Sequence, residues 1–255
     1  MSAEPTLAEI CVIACAEAWR GDGEILANPI GVIPTLGARL AALTFEPDLV
    51  FTDGDALQLA VPIPVGAAAD VPKIVEAWMP FGKMFDVVWS GRRHVMMGAT
   101  QIDRFGNQNI ACIGPWAKPK AQLLGARGAP GNTVNDPTSY FVPAHSTRVF
   151  VPAVDCVSGV GYDRAAAAGP TAEEFHEIRH VITNKAVLDF ETPDHAMRLR
   201  SVHPGVTVEE VTELTGFPLV IPASVPETRA PTDEDLRYLR EMLDPNNLRD
   251  AEIQA

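Results

Sequence analysis

The sequence predicts an α/β fold, an open and mostly parallel sheet flanked by helices. Three observations predict it. Glu24–Asn28, Pro29–Pro34, Thr35–Thr44 and Asp48–Thr52 read as strand, turn, helix and strand, the succession that places parallel strands beneath a crossover helix. A helix with its own start signal precedes this unit, because Thr6 and Glu9 have the spacing of a capping box. The chain of 255 residues, 47% hydrophobic and 21% charged, is long enough for one large domain with a sizeable core. No repeat or low-complexity tract interrupts it, and its 22 prolines mark no single linker, so residues 1–255 are assigned to one domain.

In chain order, Leu7, Ile10, Cys11, Ala14, Cys15 and Ala18 keep helical spacing until Gly21 and Gly23 stop the first helix. Pro34 suits the first turn of the second helix. Ala56–Val65 is strand or loop, broken by Pro62 and Pro64. A helix is expected from Asp70 or Val71 to about Met79, and a strand over Phe85–Trp89. Gly98–Gly114 reads as a β-hairpin. Its centre, Asp103–Asn107, is turn chemistry: Gly106 and Asn107 tolerate positive φ, and Asp103 can bond its own backbone two residues on. A glycine-rich loop, Gly125–Asn132, follows. Strands are expected at Arg148–Val157, Arg179–Phe190 and Met197–Ser201. Thr171–Glu174 can cap a helical turn or fill a loop. Thr207 and Glu210 match a second capping box, and Thr232–Met242 reads as a C-terminal helix stopped at Asp244-Pro245.

Composition limits the function. A net charge of −13 argues against nucleic acid or an anionic membrane as partner. No apolar run approaches the ~18 residues that span a bilayer, and Met1–Thr6 has no basic leader, so a cytoplasmic protein is expected. The four cysteines, Cys11, Cys15, Cys112 and Cys156, form no ligand cluster and read as small buried hydrophobes in a reducing compartment, with no metal. Charge is uneven, however. Lys83, Arg92, Arg93, Arg104, Lys118, Lys120 and Arg127 face only Asp86 and Asp103 across residues 83–127, while the rest of the chain holds 13 basic and 31 acidic residues. This contrast suggests an anion site sized for a small ligand with phosphates or carboxylates, against the plainer reading of a solvated face.

Backbone N–H groups of glycine-rich turns bind anions, so Gly31 and the loop carrying Gly125, Gly128 and Gly131 are candidates, or ordinary turns. Arg127 within that loop can clamp a carboxylate with paired hydrogen bonds, or simply be solvated. Lys118 and Lys120 can meet the phosphates of a nucleotide-like ligand or face water. Arg92 and Arg93 should point to opposite faces if they are in a strand. Thr52-Asp53-Gly54 is a strand end entering a tight turn, where α/β folds place reactive groups. Asp53 is then a nucleophile or base, or a carboxylate that satisfies the N–H groups of its own turn. His145 and His203 are isolated. No serine-hydrolase elbow, His-Glu-x-x-His, Walker A or dinucleotide fingerprint is present.

Asn28–Arg39, Pro47–Gly54, Gly98–Asn109, Ser158–Tyr162, Arg179–Asp189, His203–Glu210 and Glu227–Pro231 together resemble the β subunits of class I CoA-transferases of the glutaconate CoA-transferase type. The resemblance runs through nearly the whole chain in the family's order. It implies the class I CoA-transferase (sugar isomerase-like) fold. It also implies a partner α subunit, in an α2β2 heterotetramer, and an acyl-CoA substrate, with no cofactor other than the coenzyme A the substrate carries. Ligand contacts are implied at Gly31, Gly98, Gln101, Asn107, Lys118, Lys120, Gly125, Gly128 and Gly131.

The transfer enzymes of this family carry a catalytic glutamate two residues before the strand-end glycine, and Thr52 stands there in this chain. A hydroxyl cannot form the carboxylate-derived thioester. Arg127 is a second departure. With both, the chain is similar to the family's hydrolytic branch, which opens a cyclic β-keto acyl-CoA by retro-Claisen C–C cleavage in bacterial cholesterol ring catabolism, with a glutamate of the α subunit as base. The rival readings are a CoA-transferase that uses Asp53 and a non-catalytic partner subunit.

Overall fold

The computed structural model describes residues 4–54 and 56–253. Met1–Ala3, part of the stretch read as lacking a leader, lie outside the described residues. The chain divides into two compact units, one formed by residues up to Met97 and from Arg229 onward, the other by Gly98–Thr228.

In the first unit, α1 (Leu7–Glu17) begins at the expected capping box, where Thr6 Oγ1 accepts from Glu9 N and the Glu9 carboxylate accepts from Thr6 N. β1 (Leu26–Pro29) leads into α2 (Val32–Thr44) and then to β2 (Phe51–Thr52). α1 lies so close to α2 that a Cβ at Gly37 would stand 2.6 Å from Cys15 Cβ. β3 (Leu57–Leu59) and β4 (Val75–Trp78) continue antiparallel from β2, with Thr52 opposite Gln58 and Gln58 opposite Ala77. α3 (Phe81–Val88) precedes β5 (Arg93–Met97), which is buried throughout and pairs parallel with β1. Val50 bridges Leu26 in the same parallel sense. The C-terminal helix Asp233–Arg237 starts at a Thr232–Asp235 capping box and runs on into the wider π-helical turn Tyr238–Leu243. It holds the N-terminus: the buried Glu9 carboxylate accepts from Arg240 at 2.7 Å and Arg249 at 3.0 Å.

In the second unit, β6 (Gln101–Ile102) and β7 (Gln108–Asn109) form the expected hairpin. Asp103 Oδ1 accepts from the N–H groups of Phe105 and Asn107, and Gly106 adopts φ +83°. A second short hairpin joins β8 (Cys112–Ile113) to β9 (Ala121–Gln122). α4 (Ala129–Asn135) leads to β10 (Thr138–Val142), and α5 (Tyr162–Ala168) and α6 (Pro170–Phe175) precede β11 (Ile178–Thr183). β10 and β11 are parallel, whereas β12 (Ala186–Asp189) and β13 (Arg198–Val202) add antiparallel, so the sheet is mixed. α7 (Val208–Glu213) is capped by Thr207, but Glu210 pairs with Lys185 at 2.8 Å, so only half of that capping box forms.

Several expectations are corrected. Residues 70–79 are not helical: Val75–Trp78 is strand β4, because its β-branched and aromatic residues find a partner in β3. Residues 85–89 are not a strand: Phe81 and Phe85 recur one turn apart in α3, which Pro80 opens. Residues 148–157 form no strand, and only Phe150 bridges Ile102. The loop expected at 125–132 turns helical from Ala129. Residues 179–190 are two strands, not one, folded at Asn184-Lys185. β10 and α5 were not expected.

Candidate functional site

The strand end at Thr52 combines a light turn with an open front. Gly54 N–H donates to Thr52 Oγ1 at 3.3 Å, and Gly54 sits at φ +91° with nothing within 4 Å of where a Cβ would stand. The Asp53 carboxylate is used inside the fold. Its Oδ1 accepts from Leu57 N at 3.1 Å, its Oδ2 pairs with Lys73 Nζ at 2.8 Å, and the side chain is 1% exposed. Gln58, the strand partner of Thr52, lines two clefts of about 480 and 620 Å³, and both also touch Glu24 and Val50. Gln58 Nε2 donates to Glu76 Oε2, which lines the smaller cleft. Arg92 is exposed and lines the larger one, while Arg93 is buried and donates to Asn28 Oδ1. Sequence reasoning passed over Glu24, Gln58 and Glu76, which carry no motif and are gathered only by the pairing of β2, β3 and β4.

Gly31 caps α2 at φ +117° and does present a helix N-terminus. That terminus is filled by the chain itself. Glu252 Oε2 accepts from Ile33 N, and a Cβ at Gly31 would come within 2.5 Å of Glu252 Oε1.

In the second unit, Gln101 and Asn107 are hubs of the scaffold. Gln101 Nε2 donates to Asp155 Oδ2, while its Oε1 accepts from Asn109 Nδ2 and Asp155 N. The Gly114 N–H, the Gln101 amide and the nearby Lys120 charge hold Asp155 below the usual carboxylate range. Asn107 Nδ2 donates to Asp103 and Asp163, and its Oδ1 accepts from Gly161 N. Gly98 accepts from Gln108 Nε2 through its carbonyl. Burial leaves these amides committed to one another.

Lys118 and Lys120 are exposed beside the second hairpin, and the Lys120 stem packs on Gly114. Gly125 turns the chain at φ +84°, Gly128 caps α4, and Gly131 lies in its first turn. Between them Arg127 adopts φ 51°, a left-handed conformation that a residue with a Cβ enters at a cost. Its Nε donates to Leu124 O at 3.0 Å, and its guanidinium is exposed, so the remaining donors are available to an anion.

His145 and His203 are internal. His145 is held by Thr183 Oγ1 and Thr215 Oγ1 and stacks on Phe150, and burial pushes it down to about 3. His203 reaches Thr183 O and Thr228 Oγ1, and burial pushes it down to about 4. Among the described residues no group of three His, Cys, Asp or Glu side chains is placed to hold a metal, and no helix is long and apolar enough to cross a membrane.

Thr52 thus stands at a strand-end turn and Arg127 inside a glycine-rich turn of a mixed α/β framework. The chain belongs to the coenzyme A transferase family, whose model matches residues 21–214. It is 54% identical over 252 residues to the cholesterol ring-cleaving hydrolase IpdB subunit of Rhodococcus jostii, covering 99% of this chain and 98% of that relative. It is 48% identical to the subunit of the same name from Mycobacterium tuberculosis, covering 98% and 99% of the two chains. A crystal structure of Rhodococcus jostii IpdAB matches with a TM-score of 0.92 at 53% identity, over 99% of this chain and 100% of that one. Glutaconate coenzyme A-transferase from Acidaminococcus fermentans shares the fold, with a TM-score of 0.81 at 24% identity over 98% of each chain.

Proposed function

We propose that this chain is the β-type subunit of a two-chain hydrolase that opens a cyclic β-keto acyl-CoA by C–C cleavage in cholesterol ring catabolism. The observation that carries the proposal is the 54% identity, along essentially the full length of both chains, to a cholesterol ring-cleaving hydrolase subunit. The chain's own residues agree with it. Thr52 cannot form an acyl anhydride, and Asp53 is engaged by Leu57 and Lys73. A covalent transfer through this strand end is therefore not favoured.

In the proposed reaction a base on the α subunit takes a proton from water, and the water oxygen bonds to the ring ketone carbon. The resulting alkoxide collapses and breaks the bond to the carbon α to the thioester. That carbon leaves as a thioester enolate and takes up a proton, and the ketone carbon becomes a carboxylate, so one water is added overall. Arg127 would clamp a substrate carboxylate, and the glycine-rich turn around Gly125 and Gly128 would offer donors to the developing oxyanion. Thr52 would order the attacking water, while Lys118 and Lys120 would meet the phosphates of coenzyme A. No resident cofactor is required, since coenzyme A arrives with the substrate.

The family match spans both compact units, which supports reading 1–255 as one family domain, and the α2β2 assembly is the one the family resemblance implies. The four cysteines form no disulfide, which agrees with the cytoplasm as its site. The test is the purified heteromer with a cyclic β-keto acyl-CoA in ¹⁸O-water. Hydrolysis should place one ¹⁸O in the new carboxylate. Faster transfer of coenzyme A to acetate or succinate would sink the proposal.

A further inference from the structure

Three short helices of the second unit, α4, α5 and α6, enclose a cleft of about 600 Å³. Val134 of α4, Ala165 and Ala168 of α5, and Ala172 and Phe175 of α6 make its walls largely apolar. Its size lies within the roughly 300–1,000 Å³ that small-molecule sites occupy. Phe175 is 71% exposed and Val134 59%, so these walls stand open to an entering group. Two polar side chains break the apolar lining at opposite chemical poles. His176 is buried and lines the cleft. Its Nδ1 lies 2.9 Å from Thr133 O, and a carbonyl can only accept, so Nδ1 carries the proton. Burial holds the imidazole below its ordinary range, which keeps the ring neutral. Nε2 is then an acceptor, and it is buried without a partner. Buried polar atoms are rarely left in that state. The Tyr162 ring meets the imidazole edge to face at 4.8 Å. Arg164, which can only donate, is the other polar group. It is exposed, and its guanidinium pairs with no carboxylate among the described residues. Glu173 and Glu174, the acids of α6, are exposed and do not line the cleft.

We propose that the α4–α5–α6 cleft binds an apolar hydroxy acid, with its carboxylate on Arg164 and its hydroxyl donating to His176 Nε2. Each feature of the ligand answers one feature of the cleft. The apolar walls take the carbon skeleton, the unpaired guanidinium takes the anion, and the lone pair at Nε2 requires a donor, which an ionised carboxylate cannot supply. The cleft shares no residue with those assigned to hydrolysis, so this site is additional to the proposed reaction.

The experiment titrates the purified heteromer by calorimetry with three probes, ω-hydroxydecanoate, decanoate and decanediol. The hydroxy acid should bind saturably. Decanoate should bind about tenfold more weakly, for want of the bond to Nε2, and the diol at least about tenfold more weakly, for want of the charge pair. Arg164→Gln should bring the hydroxy acid down to the affinity of the diol and leave the diol unchanged. Ala168→Trp, at the exposed end of α5, should fill the cleft and abolish binding of all three probes with an unchanged circular dichroism spectrum. No saturable binding of the hydroxy acid up to about 1 mM, equal affinity for hydroxy acid and decanoate, or binding indifferent to Arg164→Gln would each overturn the inference.

Discussion

Asp53 Oδ2 lies 2.8 Å from Lys73 Nζ, and the carboxylate is almost closed to solvent while the lysine is 22% exposed. The pair ties the strand-end turn to the segment before β4. Removing one partner of a buried ion pair leaves the other uncompensated. Asp53→Asn should therefore lower unfolding free energy by about 2–3 kcal/mol, read from urea midpoints. Hydroxylamine under turnover should trap no acyl adduct at Asp53, and a trapped adduct would restore the transferase reading.

Arg127 separates stability from activity. Its φ of 51° favours glycine, so Arg127→Gly should stabilise the fold by up to about 1 kcal/mol. The same change removes the proposed clamp and should cut kcat/KM by about two orders of magnitude. Arg127→Lys keeps the charge without the planar fork and should recover only part of that loss. Thermal midpoints and steady-state kinetics on the heteromer check both halves.

Gly161 is a test of the hairpin as scaffold. A Cβ there would stand 2.5 Å from both Asn107 N and Phe105 O, which are backbone atoms with little room to move. Gly161→Ala should destabilise the protein by about 2–3 kcal/mol through overpacking. Faster hydrogen exchange should concentrate in residues 103–109, and a loss spread evenly over the chain would contradict the hub role given to Asn107.

His145 and His203 predict an acid limb. Burial lowers them to about 3 and about 4, so both are neutral when folded, but each takes up a proton on unfolding once the pH drops below about 6.5. Their contribution is complete above that pH and is lost as the pH falls toward the folded values. Between pH 6 and 4 stability should decline with a slope approaching two protons, about 1.4 kcal/mol per pH unit for each. His145→Gln and His203→Gln should each flatten the curve, measured as urea midpoint against pH.

The early β1–α2–β2 succession and the Gly98–Gly114 hairpin could be read from sequence because their signals are local: Gly31 and Pro34 open a helix, and Asp103 and Gly106 make a turn. The β4–α3 region was misread because its apolar residues serve an outer face. Trp78 was placed in a helix and Phe85 in a strand, and periodicity carries no label for which side is the core. β10 was hidden because all five of its residues are buried, so it shows no alternation. At the site, the reading of Asp53 as a carboxylate that satisfies its own turn holds at Leu57 N, but its ion pair with Lys73 was not legible. Lys73 lies twenty residues away, and nothing in either segment announces the pairing. Gln101 and Asn107 were read as ligand contacts, yet their amides are spent on Asp155, Asp163 and Gly161, which only the tertiary fold brings near.

Glu9 sits between Arg240 and Arg249, so the first compact unit is closed by residues more than two hundred positions apart. During synthesis, Gly98–Thr228 emerges as an uninterrupted stretch and can mature while the ribosome is still at work. The earlier half cannot: until Arg240 and Arg249 are made, the Glu9 carboxylate lacks both of its cations. Losing residues 240–249 would thus damage the beginning of this chain more than its middle.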